Sequence, residues 1–307
     1  MKSSLLIKVG LLSLLAVFIL APFTFLKAQI TKATLDESSA EILIKNENVE
    51  PVKHVSIKKI AAKKVVVKKT PEKPLHDVIL PNFTEIEDIN TKKKRFFDFM
   101  KPTVKKQNDL LLAQRAKLKA WLKRVTLSLP LSEQEQQELA LLTTKYQVNK
   151  QASTLAQLNE LLLRVDIVPM PLVLVQAANE SAWGTSRFSR IGLNFFGIWC
   201  YKPGCGMVPS GRNMGAEHEV AAFKSLEGAV ARYFRNINTN KAYRVFRTIR
   251  ADLRAQQQVL SPEILATGLL PYSERGVDYV IDITNMLRHN QHYLTEKTRK
   301  QQIIVAE

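Results

Sequence analysis

Hydrophobic residues recur at helical spacing through most of the chain from about residue 92 onward. The segment KKRFFDFMKP and the residues after it, as far as VTLSL, place apolar side chains three and four apart, with Lys and Arg between them. Ser132 and Glu135 form a capping-box pattern, which predicts the start of a second helix. The helical period then continues through QASTLAQLNELLLRVDIV. The pattern therefore predicts a helical lead-in over residues 93–165.

The pattern changes from Val168 onward. Pro169 and Pro171 stand at the start of a predicted helix, where proline is tolerated, and Gly184 stands where that helix would end. A loop-rich stretch with most of the glycines follows, including a short predicted strand at 219–223, and helical segments complete the chain. We predict an α+β fold for residues 166–307, predominantly helical, with one small irregular or β lobe.

The N-terminal part of the chain has a different character. Lys2 and Lys8 precede an apolar run of 18 residues at positions 9–26, which is typical of an export signal. The run is also at the lower limit of length for a membrane span, so residues 1–28 are either a signal peptide or a retained N-terminal anchor. Residues 29–92 show no sustained helical or strand pattern, and the stretch VSIKKIAAKKVVVKKTPEKP within them alternates lysine pairs with Val, Ile and Ala. This composition predicts a basic, largely disordered linker.

The charge is concentrated near this linker. The chain of 307 residues has a net charge of +17, and residues 53–124 hold 20 Lys and Arg against 7 acidic residues, which is +13 of that total. Such a tract can bind nucleic acid, an anionic membrane surface or an anionic polymer. Export argues against nucleic acid and leaves an anionic membrane surface as a candidate partner of residues 53–74. The predicted location is the periplasm or cell envelope, with residues 9–26 as the candidate inner-membrane anchor.

The chain has two cysteines, Cys200 and Cys205, with Pro203 and Gly204 between them. Outside the cytosol this spacing and the turn-forming residues favour a disulfide, and two free or buried thiols are the alternative. No pair of histidines lies nearby in the sequence, so the cysteines do not indicate a zinc site.

Glu180 is an ionisable residue in a helical segment whose other residues are mostly apolar or small. Gln176 and Trp183 fall on the same helical face, and burial of a carboxylate beside an indole would raise its pKa. A glutamic acid that stays protonated near neutral pH can act as a general acid. An ordinary glutamate on a helix surface is the alternative, and it is weakened by the small residues that would let a ligand approach, namely Ala177, Ala178, Ser181 and Ala182.

Three sequence blocks carry a resemblance to a known family. The blocks are QAANESAWG, NFFGI and AAFKSLEGAVARYFRNINTNKAYR, in that order. Together they resemble the bacterial glucosaminidase domain, glycoside hydrolase family seventy-three, and the whole chain is similar to Bax-type bacterial proteins. The resemblance implies a lysozyme-like fold and cleavage of the bond after N-acetylglucosamine in peptidoglycan glycan strands. It implies neither a metal nor an organic cofactor.

The resemblance also suggests roles for individual residues. Glu180 would be the general acid, Tyr243 would lie beside the reacting sugar, and Asn194 and Phe195 would belong to the saccharide groove. A packed loop is the alternative for Phe195, and a half-buried core tyrosine is the alternative for Tyr243. The full set of candidate substrate-binding residues is Gln176, Trp183, Asn194, Phe195 and Trp199.

The sequence departs from the family pattern at the second catalytic carboxylate. The corresponding stretch, GCGMVPSGRNMG, contains no acid, and the nearest acids are Glu217 and Glu219. Either of these, His218 between them, or the acetamide of the substrate could supply the second group. The missing acid keeps two alternatives open, a lytic transglycosylase and a non-catalytic peptidoglycan-binding or scaffold protein. The main prediction is an exported endo-β-N-acetylglucosaminidase with Glu180 as its acid.

Overall fold

The computed structural model describes residues 73–210, 217–271 and 275–294. The predicted signal or anchor at 1–28 and nearly all of the basic tract at 53–74 lie outside the described residues. Within the described part of the chain, no helix is both long and apolar enough to cross a membrane.

Helices form most of the described structure. The lead-in contains α1 (Ile89–Thr126), α2 (Glu133–Lys145) and α3 (Thr154–Arg164). After it come α4 (Met170–Ser181), α5 (Arg187–Gly192), α6 (Leu226–Thr239), α7 (Arg244–Ala255), α8 (Pro262–Thr267), α9 (Val277–His289) and α10 (Gln291–Leu294). A single turn of 3₁₀-helix at Lys241–Tyr243 joins α6 to α7. The prediction of a predominantly helical α+β fold of the lysozyme-like type is confirmed.

The helix starts follow from local side-chain hydrogen bonds. The Asp88 side chain accepts a hydrogen bond from the Thr91 backbone N–H at 2.8 Å and so begins α1. Ser132 and Glu135 form the predicted capping box at the start of α2, each side chain accepting from the backbone N–H of the other.

The helix α4 lies at the centre of the molecule. Most of its side chains are buried, which explains why its sequence lacks a polar face. The helices α1 and α9 both pack against it. Because α4 is buried almost all round, any polar residue that it carries must find a partner inside the protein or face a cleft.

Three short strands form one antiparallel sheet in the order β1, β3, β2. They are β1 (Trp199–Cys200), β2 (Gly206–Met207) and β3 (Glu219–Ala221). Trp199 pairs with Val220, and Gly206 pairs with Ala221. The strand β3 begins at the predicted position but ends two residues earlier than the predicted strand at 219–223. This sheet is the small lobe that the glycine-rich sequence predicted.

The end of the predicted linker is packed against the folded part of the chain, which differs from the prediction for residues 29–92. Phe83 is 2% exposed, and its ring centroid lies 5.6 Å from that of Phe96 in α1. The Leu75 backbone N–H donates to the Ile191 carbonyl at 2.9 Å. Lysine pairs are absent between residues 74 and 91, and apolar side chains there can be buried at little cost.

The lead-in and the following helices share one hydrophobic core. Leu111 and Leu118 of α1 belong to the same buried cluster as Val173 of α4 and Phe234 of α6. A buried ion cluster joins the same parts, since Asp166 contacts Arg115 of α1 at 3.5 Å and Arg254 of α7 at 3.0 Å. Burial alone would raise the pKa of Asp166, but the nearby charges of Arg250 and Arg115 and the hydrogen bond from Arg254 outweigh it and lower the pKa.

Candidate active site

A cleft of about 730 Å³ opens where α4, the β-sheet, α6 and the start of α9 meet. Its lining includes residues of the turn before β1, of α6 and of the 3₁₀-helix after it. Glu180, at the C-terminal end of α4, is the only acidic residue among the described residues that line it. The helix α4 is thus buried along most of its length and reaches the cleft at Glu180.

Glu180 is half-buried, and burial raises the pKa of its carboxyl group above the ordinary value. Three weaker effects oppose this shift. The Tyr279 hydroxyl donates to Oε1 at 3.0 Å, the Asn179 amide lies 3.5 Å from the same oxygen, and the charge of Arg275 acts from the cleft wall. The net effect is a higher pKa, which favours the protonated form that a general acid needs.

A chain of buried hydrogen bonds leads from α6 to Glu180. The Tyr233 hydroxyl donates to Oε1 of Gln176 at 2.5 Å, and Nε2 of Gln176 donates to the Tyr279 hydroxyl at 3.0 Å. Tyr279 in turn donates to Glu180. Because Gln176 presents its N–H to Tyr279, the hydroxyl hydrogen of Tyr279 is directed to the carboxyl group. Gln176 is 2% exposed, so it holds this network in place within the protein, whereas the sequence hypothesis gave it contact with substrate.

The turn before β1 brings the backbone against the other carboxyl oxygen. Gly197 has a φ of +62°, and a Cβ atom at this position would lie 3.4 Å from Oε2 of Glu180. A larger residue would therefore be strained in its backbone and would crowd the acid. This glycine keeps the space around Oε2 open on the cleft side.

Asn194 forms this turn. Its Nδ2 donates to the carbonyls of Ile198 and Ala221 at 2.8 and 2.9 Å, and its Oδ1 accepts from the N–H groups of Phe196 and Ile198. The side chain is 2% exposed. Its hydrogen-bonding capacity is used within the loop, so the structure gives Asn194 a loop-holding position and not the substrate contact that the sequence predicted.

The positions of Phe195 and Trp183 also differ from the predicted contact with substrate. Phe195 is fully buried and packs 6.1 Å from Phe96 between ring centroids. The α4 helix ends at Ser181, and Trp183 follows in a left-handed backbone conformation with a φ of +58°. Its ring packs 5.2 Å from Phe97 and does not line the cleft. The sequence prediction extended α4 to Gly184, which placed Trp183 on the face of Glu180.

Trp199 does lie at the cleft. It is 50% exposed, and its ring stacks on His218 with centroids 4.2 Å apart. Cys200, the next residue, forms a disulfide with Cys205, so the β1–β2 connection that directly follows Trp199 is covalently closed. An exposed indole held at a cleft edge suits stacking on the apolar face of a sugar ring.

Neither candidate second carboxylate lines the cleft. Glu219 is 8% exposed, and its two oxygens accept from the backbone N–H groups of Gly204 and Gly206 at 3.0 and 2.8 Å. This carboxylate is therefore bound to the disulfide loop. Glu217 is exposed and lies outside the described lining. His218, the third candidate, is engaged in the stack with Trp199.

Tyr243 lines the cleft at the end of the 3₁₀-helix, although its side chain is only 2% exposed. Asn240 positions this turn, because its side chain accepts from the Ala242 N–H at 2.9 Å. Glu180, Trp199 and Tyr243 are the predicted residues that the structure brings together at the cleft.

Sequence reasoning missed the tyrosines that contact or support the acid. Tyr279 lies 99 residues from Glu180 in the chain, and Tyr233 is covered by Phe196 in a ring stack with centroids 4.1 Å apart. Both residues have the spacing of ordinary core positions on amphipathic helices. Only the direction of a hydroxyl group, which the periodicity does not encode, distinguishes them from core residues.

A helical α+β domain with a half-buried glutamic acid in a cleft and an aromatic ring at its edge has the groups that a glycosidase uses. Comparison with known families agrees, because the glucosaminidase family, described as mannosyl-glycoprotein endo-beta-N-acetylglucosaminidase, matches residues 155–295. "Protein bax" of Escherichia coli strain K12 is 32% identical over 216 residues, which is 70% of this chain and 76% of that protein. No solved structure gives a significant match. The chain belongs to the family of Bax-type bacterial proteins with a glucosaminidase domain.

Proposed function

We propose that this protein hydrolyses the β-1,4 glycosidic bond after N-acetylglucosamine in peptidoglycan, with Glu180 as general acid. The observation that carries the proposal is the raised pKa of a half-buried carboxyl group at a cleft edged by an exposed indole. A sugar ring stacked on Trp199 would place the adjoining glycosidic bond toward the interior of the cleft, where Glu180 lies.

The proposed first step is proton transfer from Glu180 to the departing glycosidic oxygen. Tyr279 donates to Oε1, so the acidic proton is expected on Oε2, beside Gly197. The bond to the anomeric carbon breaks as the oxygen takes this proton. A water molecule then adds to the anomeric carbon and loses a proton to the Glu180 carboxylate, which restores the acid.

Stabilisation of the cationic sugar needs a second group opposite the acid. Among the described residues that line the cleft there is no second carboxylate. This observation favours attack by the acetamide oxygen of the substrate on the anomeric carbon as the glycosidic bond breaks. The incoming water then displaces the acetamide oxygen from that carbon, and Tyr243 is the residue proposed to orient the acetamide. The same observation also favours the second candidate function, a lytic transglycosylase, in which the muramyl hydroxyl attacks and water is not consumed.

Product analysis of purified peptidoglycan tests the proposal. The full chain is compared with Glu180→Gln, and the products are reduced with borohydride and identified by mass spectrometry. We expect reduced N-acetylglucosamine ends from the wild type and a loss of at least about 100-fold in rate for the variant. Anhydro-muramyl ends would establish the transglycosylase instead. Products that do not depend on Glu180 would contradict its role as the acid. Binding without cleavage would contradict the proposal and leave the scaffold interpretation.

The proposal includes action in the periplasm, since peptidoglycan lies outside the cytoplasm. The support is the apolar segment at residues 9–26 with its preceding lysines. Fractionation of cells that produce the full chain, with mass determination of the mature N-terminus, would distinguish a cleaved signal from a retained anchor.

A further inference from the structure

A second cleft of about 490 Å³ lies beside the candidate active cleft, between α1, the end of α2, and α6. Its charged lining residues are Lys145, Arg232 and Arg235, and no acidic residue is among the described residues that line it. Arg232 also lines the candidate active cleft. The two clefts therefore meet at this side chain, and we call the second one the cationic cleft.

The charges of the cationic cleft are available for a ligand. Lys145 and Arg235 are exposed, and neither forms an ion pair with a carboxylate within the described part of the chain. The Lys145 ammonium lies 5.5 Å from the centroid of the Tyr146 ring. Cations that gather in a concave site without nearby acids attract anions more strongly than scattered surface charges do.

The walls of this cleft are apolar as well as cationic. Leu111 of α1 and Phe234 of α6 line it, and both are core residues whose edges reach the cleft. The side-chain amides of Gln107 and Gln114 add hydrogen-bonding groups. The cleft thus combines fixed positive charge, amide groups and small apolar surfaces, which is the chemistry that suits a short acidic peptide with methyl side chains.

We propose that the cationic cleft binds the peptide stem of peptidoglycan while the glycan strand occupies the candidate active cleft. This inference rests on the proposed function. The stem leaves the muramyl sugar through its lactyl group, directly beside the glucosaminyl unit, and carries several carboxylates. A strand bound at Glu180 would send its stem past Arg232, so that Arg235 and Lys145 meet the carboxylates. The lead-in helices then form part of the substrate site, because α1 and α2 build one side of this cleft.

The test compares one glycan preparation with and without its stems. Uncross-linked strands are assayed intact and after an amidase has removed the peptides, and kcat/KM is measured for each. We expect the wild type to prefer the stem-bearing strands. The double variant Lys145→Gln/Arg235→Gln should lose about fivefold to tenfold on those strands, as two partly solvated charge pairs would, and should stay within about twofold on stripped strands. The loss should shrink at high salt.

The matched control is Lys119→Gln/Arg288→Gln, which removes two exposed cations outside both clefts and makes the same change in net charge. It should leave both substrates unaffected. Equal losses on intact and stripped strands, or no loss on either, would overturn the proposal even if the hydrolase activity is established.

A binding measurement separates this proposal from the proposed function. A soluble muramyl peptide is titrated calorimetrically into Glu180→Gln and into the same protein with Lys145→Glu and Arg235→Glu. Binding that is lost on charge reversal supports the stem site even if neither substrate is cleaved. Absence of muramyl-peptide binding would overturn it, as would binding of phosphatidylglycerol vesicles alone through the same two residues.

Discussion

At the scale of single residues, Glu180 is subject to opposing effects that together adjust its acidity. Burial favours its neutral form, while the hydroxyl of Tyr279 favours its charged form. The supporting hydrogen bonds from Gln176 and Tyr233 fix the direction of the Tyr279 hydroxyl. The raised pKa therefore favours the protonated form, and the carboxyl group is oriented by a hydrogen bond that does not use its own proton.

Tyr279→Phe should shift the pH profile of kcat/KM toward higher pH. Loss of the donor to Oε1 raises the pKa of Glu180 further, so the protonated acid persists to higher pH. The basic limb of the kcat/KM profile should move upward in pH, while kcat at the optimum falls about tenfold because the carboxyl group loses its orientation.

The control for this prediction is Tyr293→Phe, which removes a hydroxyl that donates to Asn90 on the exposed surface. We expect it to change neither kcat nor the profile. A slower Tyr279→Phe enzyme with an unmoved basic limb would show that the hydroxyl contributes only to packing.

The sequence indicated Glu180 because the signal lies in neighbouring residues: an acid stands among small and apolar side chains. It did not predict the positions of Asn194 and Trp183, for physical reasons. A buried asparagine that forms a turn and an exposed one that binds sugar have the same sequence context. The position of Trp183 depends on the left-handed residue Ala182 after α4, and alanine gives no sign of that conformation.

At the scale of elements, the β lobe carries Trp199 on β1, directly before a short closed loop. The Cys200–Cys205 disulfide closes the loop covalently, and Glu219 on β3 binds two of its backbone N–H groups. A carboxylate that accepts two amide hydrogen bonds can hold this loop at its two glycines, which have no side chains to pack. The disulfide and the Glu219 hydrogen bonds therefore both restrain the backbone next to the exposed indole of Trp199.

Glu219→Gln should affect this element and leave the chemical step unchanged. An amide keeps one acceptor oxygen and places an N–H group against one of the two glycine amides, so we expect a loss of about 1–3 kcal/mol in the free energy of unfolding. KM should rise as Trp199 becomes less well held, with kcat and the pH profile unchanged. Chemical denaturation and steady-state kinetics on the same preparation measure both quantities.

Glu217→Gln is the matched comparison, because Glu217 is exposed and adjacent in sequence. It should change neither stability nor kinetics. If Glu219→Gln instead slowed turnover by about two orders of magnitude without loss of stability, Glu219 would be restored as a catalytic base.

At the scale of the whole molecule, the lead-in helices and the glucosaminidase domain are parts of one core. Phe83, Phe96 and Phe195 are in aromatic contact across this boundary, and Arg250 binds the carbonyls of Leu163 and Arg164 at the end of α3. Sequence periodicity predicted both sets of helices. It did not predict that they share a core, because an amphipathic pattern identifies the buried face of a helix without identifying what covers it.

A fragment that starts at residue 153 should fail to fold as a stable unit. It contains the region that matches the glucosaminidase family but lacks α1, and it would expose the apolar faces of α3, α4 and α6 to water. We expect a fragment of residues 73–307 to show a cooperative thermal transition and the shorter one to aggregate or to lack such a transition. A sharp transition in the shorter fragment would show that α1 is dispensable for folding.

The shared core also limits how such a gene can recombine. A crossover within the coding sequence for residues 83–195 would join a lead-in from one parent to an aromatic cluster from another, and the rings would no longer fit. Exchange that preserves function should therefore avoid this stretch, and it should also avoid the residues from Leu75 onward that are hydrogen-bonded to the folded part. Related genes are expected to inherit the coding sequences of α1 and of the candidate active cleft together.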